Sequence, residues 1–200
     1  MSRDTLRRRE FIGAALTAPL LVSTASGSAA AKSIARISPP AEPGKRLVIS
    51  GTVFMPDGTT PARDATLAAY HTDSAGWYSQ PENDPRRARL RGSLTTDANG
   101  AYRIETIVPG AYANMANPPV RHIHVHLGAP NLPVHWIESY LFADDPRVTR
   151  ADLEKAASQG AFAHVMSLKA GNGVLTGRRD IRIDPALAEA NRLVNGWYRR

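Results

Sequence analysis

No cysteine occurs among the 200 residues of the sequence. That absence removes thiolate metal sites, cysteine nucleophiles and disulfides together. No serine-nucleophile elbow, phosphate-binding glycine loop or dinucleotide fingerprint is present either, which sets aside the enzyme classes built on those motifs. There is no internal repeat, and no biased segment beyond the amino terminus, so repeat architectures are excluded. Acidic residues are in the minority, and the formal net charge is +7. Residues 1–31 carry Arg3, Arg7, Arg8 and Arg9 against Asp4 and Glu10, a net of +2, so the rest of the chain carries +5. No lysine-rich run or aromatic stripe accompanies that excess, so a nucleic-acid partner is not expected. A mildly basic surface suits small anionic substrates equally well.

What is present is the composition of one globular domain, 42% apolar and 22% charged, at a length that allows a substantial core. Arg7-Arg8-Arg9-Glu10-Phe11-Ile12 opens the chain with a twin-arginine pattern. A short apolar run over 12–22 follows, and then a small-residue zone ending in Ala29-Ala30-Ala31. Charged, apolar and small-residue parts in that order predict a signal over 1–31, export to the periplasm and no stable membrane anchor. Residues 32–46 carry prolines and no periodicity, which predicts a linker or arm, with the domain proper over 47–200.

From Leu47 onward, short apolar runs alternate with turn residues. Strands are expected over 47–54, 65–71, 91–96, 101–107, 120–127 and 136–142, with closing strands over 162–168 and 179–183. Asp57-Gly58 and Asn99-Gly100 punctuate them as turn dipeptides. Helical patterning is confined to 149–158, where Thr149 and Asp152 have capping-box spacing, and to 185–194. Many short strands with two late helices predict an all-β fold, a sandwich of mainly antiparallel strands.

The run Val120-Arg121-His122-Ile123-His124-Val125-His126-Leu127 places three of the six histidines at alternate positions. On a strand they share one face, while Ile123, Val125 and Leu127 point to the other. Two imidazoles at i and i+2 can grip one metal ion. All three cannot, because i and i+4 lie about 13 Å apart at ~3.3 Å per residue. Without cysteine, the remaining ligands must come from Asp, Glu, His or Tyr. His71, His135 and His164 are isolated and read as surface or packing residues. Asp144-Asp145 before Pro146 reads as a solvated loop, and the arginines between 86 and 91 as a solvated basic face that could attract carboxylated aromatics.

Five segments in order resemble the intradiol ring-cleavage dioxygenases, the catechol and protocatechuate dioxygenase family. They are AAYHTDSAGWY over 68–78, TDANGAY over 96–102, TIVPGAY over 106–112, HIH over 122–124 and YLFADDP over 140–146. Arg179-Asp180-Ile181 is similar to the family's final strand, so the resemblance runs from about Leu47 to Ile183. It implies a non-haem Fe(III) centre held by Tyr78, Tyr112, His122 and His124. It also implies a catechol-type substrate, O₂ as co-substrate, a muconate-type diacid as product, and Tyr112 acting as a base after leaving the iron. Members assemble from more than one chain, so a homo- or hetero-oligomer is compatible.

The register of the residues after the histidines favours His122 and His124 as the pair, with His126 beside them. A shift by two keeps the same facing and leaves His124 with His126 open. The sequence departs from the family at Pro119, where an arginine is usual, and at Ser139, where a glutamine is usual. Arg121 is the candidate to replace the missing catalytic arginine, provided the strand begins irregularly. The rival reading is a non-catalytic periplasmic sandwich that binds copper or zinc through the histidine strand; it has no use for the two tyrosines.

Overall fold

A computed structural model describes residues 32–191. The signal read over 1–31 and the end of the late helix lie outside the described residues. Two six-stranded sheets pack face to face, giving a β-sandwich. One sheet contains β1 (Ile34–Arg36), β2 (Arg46–Phe54), β5 (Ala101–Ile107), β10 (Lys169–Gly171), β11 (Val174–Arg178) and β12 (Ile181–Arg182). The other contains β3 (Thr66–His71), β4 (Leu90–Thr95), β6 (His122–Ala129), β7 (Leu132–Trp136), β8 (Tyr140–Phe142) and β9 (Val165–Met166). The helices α1 (Arg150–Gln159) and α2 (Pro185–Ala190) follow late in the chain.

Alternation along the strands builds the core. β2 buries Leu47, Ile49, Gly51 and Val53 and leaves the alternate residues partly exposed. Across the sandwich, β3 supplies Leu67 and Ala69, and β6 supplies Ile123, Val125 and Leu127, to the same apolar cluster. The last three are at most 0% exposed, so a one-residue slip of β6 would drive imidazoles into the core. Thr149 caps α1 with Asp152 in a reciprocal capping box, as the spacing predicts.

Several expectations are corrected. The segment 136–142 is two strands, because β7 and β8 pair with the same β6 in registers one residue apart. Trp136 opposes His126 and Leu141 opposes His122, so residues 137–139 carry the extra residue of a bulge. A bulge re-aims the side chains within it, here those of Glu138 and Ser139. The presumed arm is not unstructured, since β1 pairs in parallel with β5; three residues are too few to show a period. The hairpin of β10 and β11 turns on Asn172-Gly173, both at positive φ, an Asn-Gly signal the sequence does carry.

Asp145 is also corrected, from solvated loop to buried anchor. Its side chain is 0% exposed and accepts from the backbone N–H and Nε of Arg121 and from the backbone N–H, Nε and Nη2 of Arg147. The turn after β8 is thereby tied to the residue that precedes β6. Burial opposes ionisation of this carboxyl, yet hydrogen bonds from Arg147 and Arg121 hold it well below its ordinary value of 3.8.

Asp145→Asn is therefore expected to lower stability by on the order of 2 kcal/mol at pH 7, the scale of hydrogen bonds to a charged group. A depressed folded-state value means that the stabilisation is present above the unfolded value of 3.8 and is lost as pH falls below it. Urea unfolding should show a constant gap between variant and parent from pH 7 to 5, narrowing below about pH 4.

Candidate metal centre

The three alternate histidines of β6 lie on the face of the second sheet opposite the core residues Ile123, Val125 and Leu127. Two loops bring tyrosines over it. The first leaves β3 at His71, which is fully buried between Thr72 O at 2.6 Å and Thr106 Oγ1 at 2.6 Å. The second leaves β5 at Ile107. They meet backbone to backbone: Gly110 N donates to Asp73 O at 2.8 Å, and Ala113 N to Gly76 O at 3.1 Å. Gly76 sits at φ +90°, and a Cβ there would lie 1.9 Å from Ala111 O. A Cβ on Gly110 would lie 2.6 Å from both Gly76 N and Ser74 O. Only glycine allows that approach, and Tyr78 and Tyr112 each stand two residues beyond one of these glycines.

Four side-chain atoms converge as a result. Tyr78 Oη lies 2.6 Å from Tyr112 Oη and 2.8 Å from His124 Nε2. Tyr112 Oη lies 2.8 Å from His122 Nε2 and 3.2 Å from His124 Nε2, and the two Nε2 atoms are 3.0 Å apart. The structure thus brings together Tyr78, Tyr112, His122 and His124. His126 is not in this group: it is buried two positions further along, its ring 4.0 Å from that of Trp136.

Arg121, the candidate replacement for the family arginine, is turned elsewhere. Its guanidinium engages Asp145 at 3.0 Å and Asp144 at 3.4 Å. β6 begins regularly at His122, so the preceding side chain points to the opposite face. The arginines of 86–91, read as a solvated basic face, are exposed but mostly ion-paired: Arg86 with Asp84, Arg87 with Glu82 and Arg89 with Glu42.

Protonation follows from the hydrogen bonds. His122 Nδ1 lies 2.7 Å from Val120 O, and a carbonyl only accepts, so Nδ1 carries the proton and Nε2 presents its lone pair to the cluster. Burial lowers His122, and burial with the neighbouring His122 takes His124 down to about 3. Both imidazoles are neutral at pH 7. Burial also raises the phenols of Tyr78 and Tyr112 above their ordinary value of 10.0. No carboxylate bonds to any of the four among the described residues, and no group of three His, Asp or Glu there could hold a metal.

Three further residues support the converging four. Tyr70 stacks on His124 at 4.7 Å and 21°. Ser139 Oγ lies 3.4 Å from His124 Nδ1, a placement created by the bulge. Asn83, at φ 52°, accepts from Tyr78 N at 2.6 Å and reaches Asn114 Oδ1 with its amide at 2.9 Å. It links the two tyrosine loops a second time, and nothing in its local sequence signals this.

Comparisons with known proteins bear on the family and the fold. The dioxygenase family model matches residues 16–185. The chain is 34% identical over 107 residues to the catechol 1,2-dioxygenase of Acinetobacter baylyi, covering 52% of this chain and 34% of that protein. It is 31% identical over 133 residues to the protocatechuate 3,4-dioxygenase beta chain of Burkholderia cepacia, covering 62% of this chain and 56% of that one. The chain thus spans about a third to just over a half of these relatives' length. Among solved structures, the dioxygenase domain of a dioxygenase and carbohydrate-binding protein fusion from Streptomyces sp. SirexAA-E superimposes with a TM-score of 0.58. That likeness has 28% identity over 74% of this chain and 86% of that chain.

Gly76→Ala should separate the two loops, because it meets both positive φ and a backbone oxygen. A loss of more than about 1 kcal/mol in thermal unfolding is expected, with new protease cleavage confined to the loop after His71. Unchanged unfolding and cleavage would show that the loops are not held by this contact.

Proposed function

The chain belongs to the intradiol ring-cleavage dioxygenase family, and on that premise we propose that it is a non-haem Fe(III) enzyme that opens a catechol-type ring between its hydroxylated carbons. Both atoms of O₂ would enter the product, a muconate-type diacid. The observation that carries this reading is the convergence of two phenol oxygens and two imidazole nitrogens, each within 2.6–3.2 Å of at least two of the others. Two Nε2 lone pairs at 3.0 Å repel unless a proton or a cation lies between them, and His122 keeps its proton on Nδ1. Neighbouring donors of one small cation, with bonds of ~2 Å, have about this spacing.

Tyr78, Tyr112, His122 and His124 would hold the iron. Hard, anionic phenolate oxygens favour Fe(III) over Fe(II), and the ferric ion would supply Lewis acidity toward a bound catecholate. The chain's own residues divide the remaining work. Tyr78 is 4% exposed and fixed at its backbone by Asn83, which suits a permanent ligand. Tyr112 is half-buried and so more open to solvent than Tyr78, and its oxygen would be the one to take a proton from an entering catechol hydroxyl. His122, anchored on Val120 O, and His124, stacked on Tyr70, keep their orientation while Tyr112 moves. Trp136, with its ring 5.6 Å from that of His124, offers an apolar wall to an aromatic substrate. The twin-arginine pattern supports export of the folded protein to the periplasm.

The deciding experiment is the visible spectrum of iron-loaded protein beside Tyr78→Phe and Tyr112→Phe. A broad tyrosinate-to-iron band, weakened in each variant, is expected. Ring cleavage across a panel of catechols, followed by O₂ uptake, should fall on the order of 10²–10⁴-fold in Tyr112→Phe. A colourless protein that takes zinc or copper equally well with either tyrosine replaced would sink this reading.

A further inference from the structure

A pocket of about 520 Å³ lies between the end of α1, the turn Gly160–Phe162, the bulge after β7, β12 and the start of α2. None of the four residues of the metal centre lines it. Its floor holds Arg179, a residue only 5% exposed. The backbone of Arg179 is pressed into the sandwich: its N–H donates to Ser50 O at 3.0 Å, and its carbonyl accepts from Tyr102 Oη at 2.7 Å. A Cβ on Gly51 would lie 1.7 Å from that carbonyl, so the position cannot retreat.

The guanidinium is under-satisfied. Nη1 donates to Glu138 O at 2.6 Å, and Cζ lies 4.6 Å over the ring of Tyr140. Nε is buried without a hydrogen-bond partner, and no carboxylate forms an ion pair with Arg179 among the described residues. Buried guanidinium groups are almost always paired with an anion. A second cation, Arg182, stands at the same pocket with Cζ 5.3 Å over Phe162 and no ion pair among the described residues. The two carboxylates that line the pocket are engaged elsewhere. Glu138 is held by Lys155 and Gln159, and Asp184 caps α2 through Ala186 N and Leu187 N. The remaining wall is apolar, with Ile137, Phe162, Ile181 and Leu187.

We infer that this pocket is a binding site for a small carboxylate with an apolar body, its carboxylate paired with Arg179 and Arg182. One guanidinium matches the fork of a carboxylate, and a second cation at the same pocket adds to its attraction for an anion. The apolar wall favours an organic acid over inorganic phosphate, and the volume falls within the range of small-molecule sites. The inference rests on no assumption about the reaction at the metal centre.

Benzoate is the probe, titrated calorimetrically into the full chain, with inorganic phosphate as the competing anion. Saturable binding is expected for benzoate and much weaker binding for phosphate. Arg182→Ala, at the exposed rim, should weaken benzoate roughly tenfold, the scale of one charge-assisted hydrogen bond. Arg179→Gln should weaken it further, and because that site is buried its melting curve is checked first; Arg182→Ala decides if it does not fold. Tyr112→Phe should leave binding unchanged. Absence of saturable heat, indifference to Arg182→Ala, equal affinity for phosphate, or loss in Tyr112→Phe would each overturn the assignment.

Discussion

Strand β6 carries two obligations on its two faces, and the rest of the molecule is arranged around keeping them apart. Ile123, Val125 and Leu127 are locked into the sandwich core, which forces His122, His124 and His126 onto the other face. A slip of one residue would cost several buried aliphatic side chains, each about 1.5–3 kcal/mol of burial, and would bury three imidazoles in their place. The histidines are therefore aimed by the hydrophobic effect rather than by their own bonds. Local bonds then refine the aim. Val120 O sets the ring of His122, Tyr70 sets that of His124 by stacking, and Asp145 fixes the residue at which the strand begins.

The tyrosines are positioned by an opposite strategy. They belong to loops, and loops have no core-facing side to hold them. What fixes them is the close approach of Gly76 and Gly110, reinforced by the Asn83 to Asn114 bond. The small cluster of Tyr70, Tyr78 and Ala88, with Tyr112 and Trp136 packed on it, excludes water from the meeting point. A rigid strand thus supplies two donors, and a glycine-hinged pair of loops supplies two more. That division is useful where one ligand must stay and another must yield.

The legible parts of the sequence were those governed by period or by steric necessity. Alternation on β2, β3 and β6 gave the sheets their faces, and Thr149 with Asp152 gave α1 its start. The two Gly-x-Tyr spacings could be tied to the histidine strand only through a family resemblance, because no local rule says that two loops will touch. Illegible parts were those where one residue changes the partner of another. The bulge over 137–139 arises from a register shift between two strands that look like one. Asp145 reads as a turn acid until the arginines that reach it from either side are seen. Arg121 reads as a candidate catalytic arginine for the same reason, and its pairing with Asp145 holds it away from the four converging side chains.

That capture sharpens the charge balance at the metal centre. With Arg121 paired elsewhere and proline at 119, no arginine of the described residues bonds to the four converging side chains, and no carboxylate does either. In the free protein the four groups are neutral, since burial raises both phenols and lowers both imidazoles. A cation held there can be balanced only by ionising the tyrosines themselves, and it would lower their values as metal ions do for bound oxygen acids. Two phenolates offset two units of charge, so a ferric ion would keep one net positive charge for an incoming anion. A divalent ion in the same site would be left neutral and would attract a catecholate less. On the proposed reading, the donor set would do more than accommodate a metal: through its charge it would suit the trivalent ion that the chemistry requires.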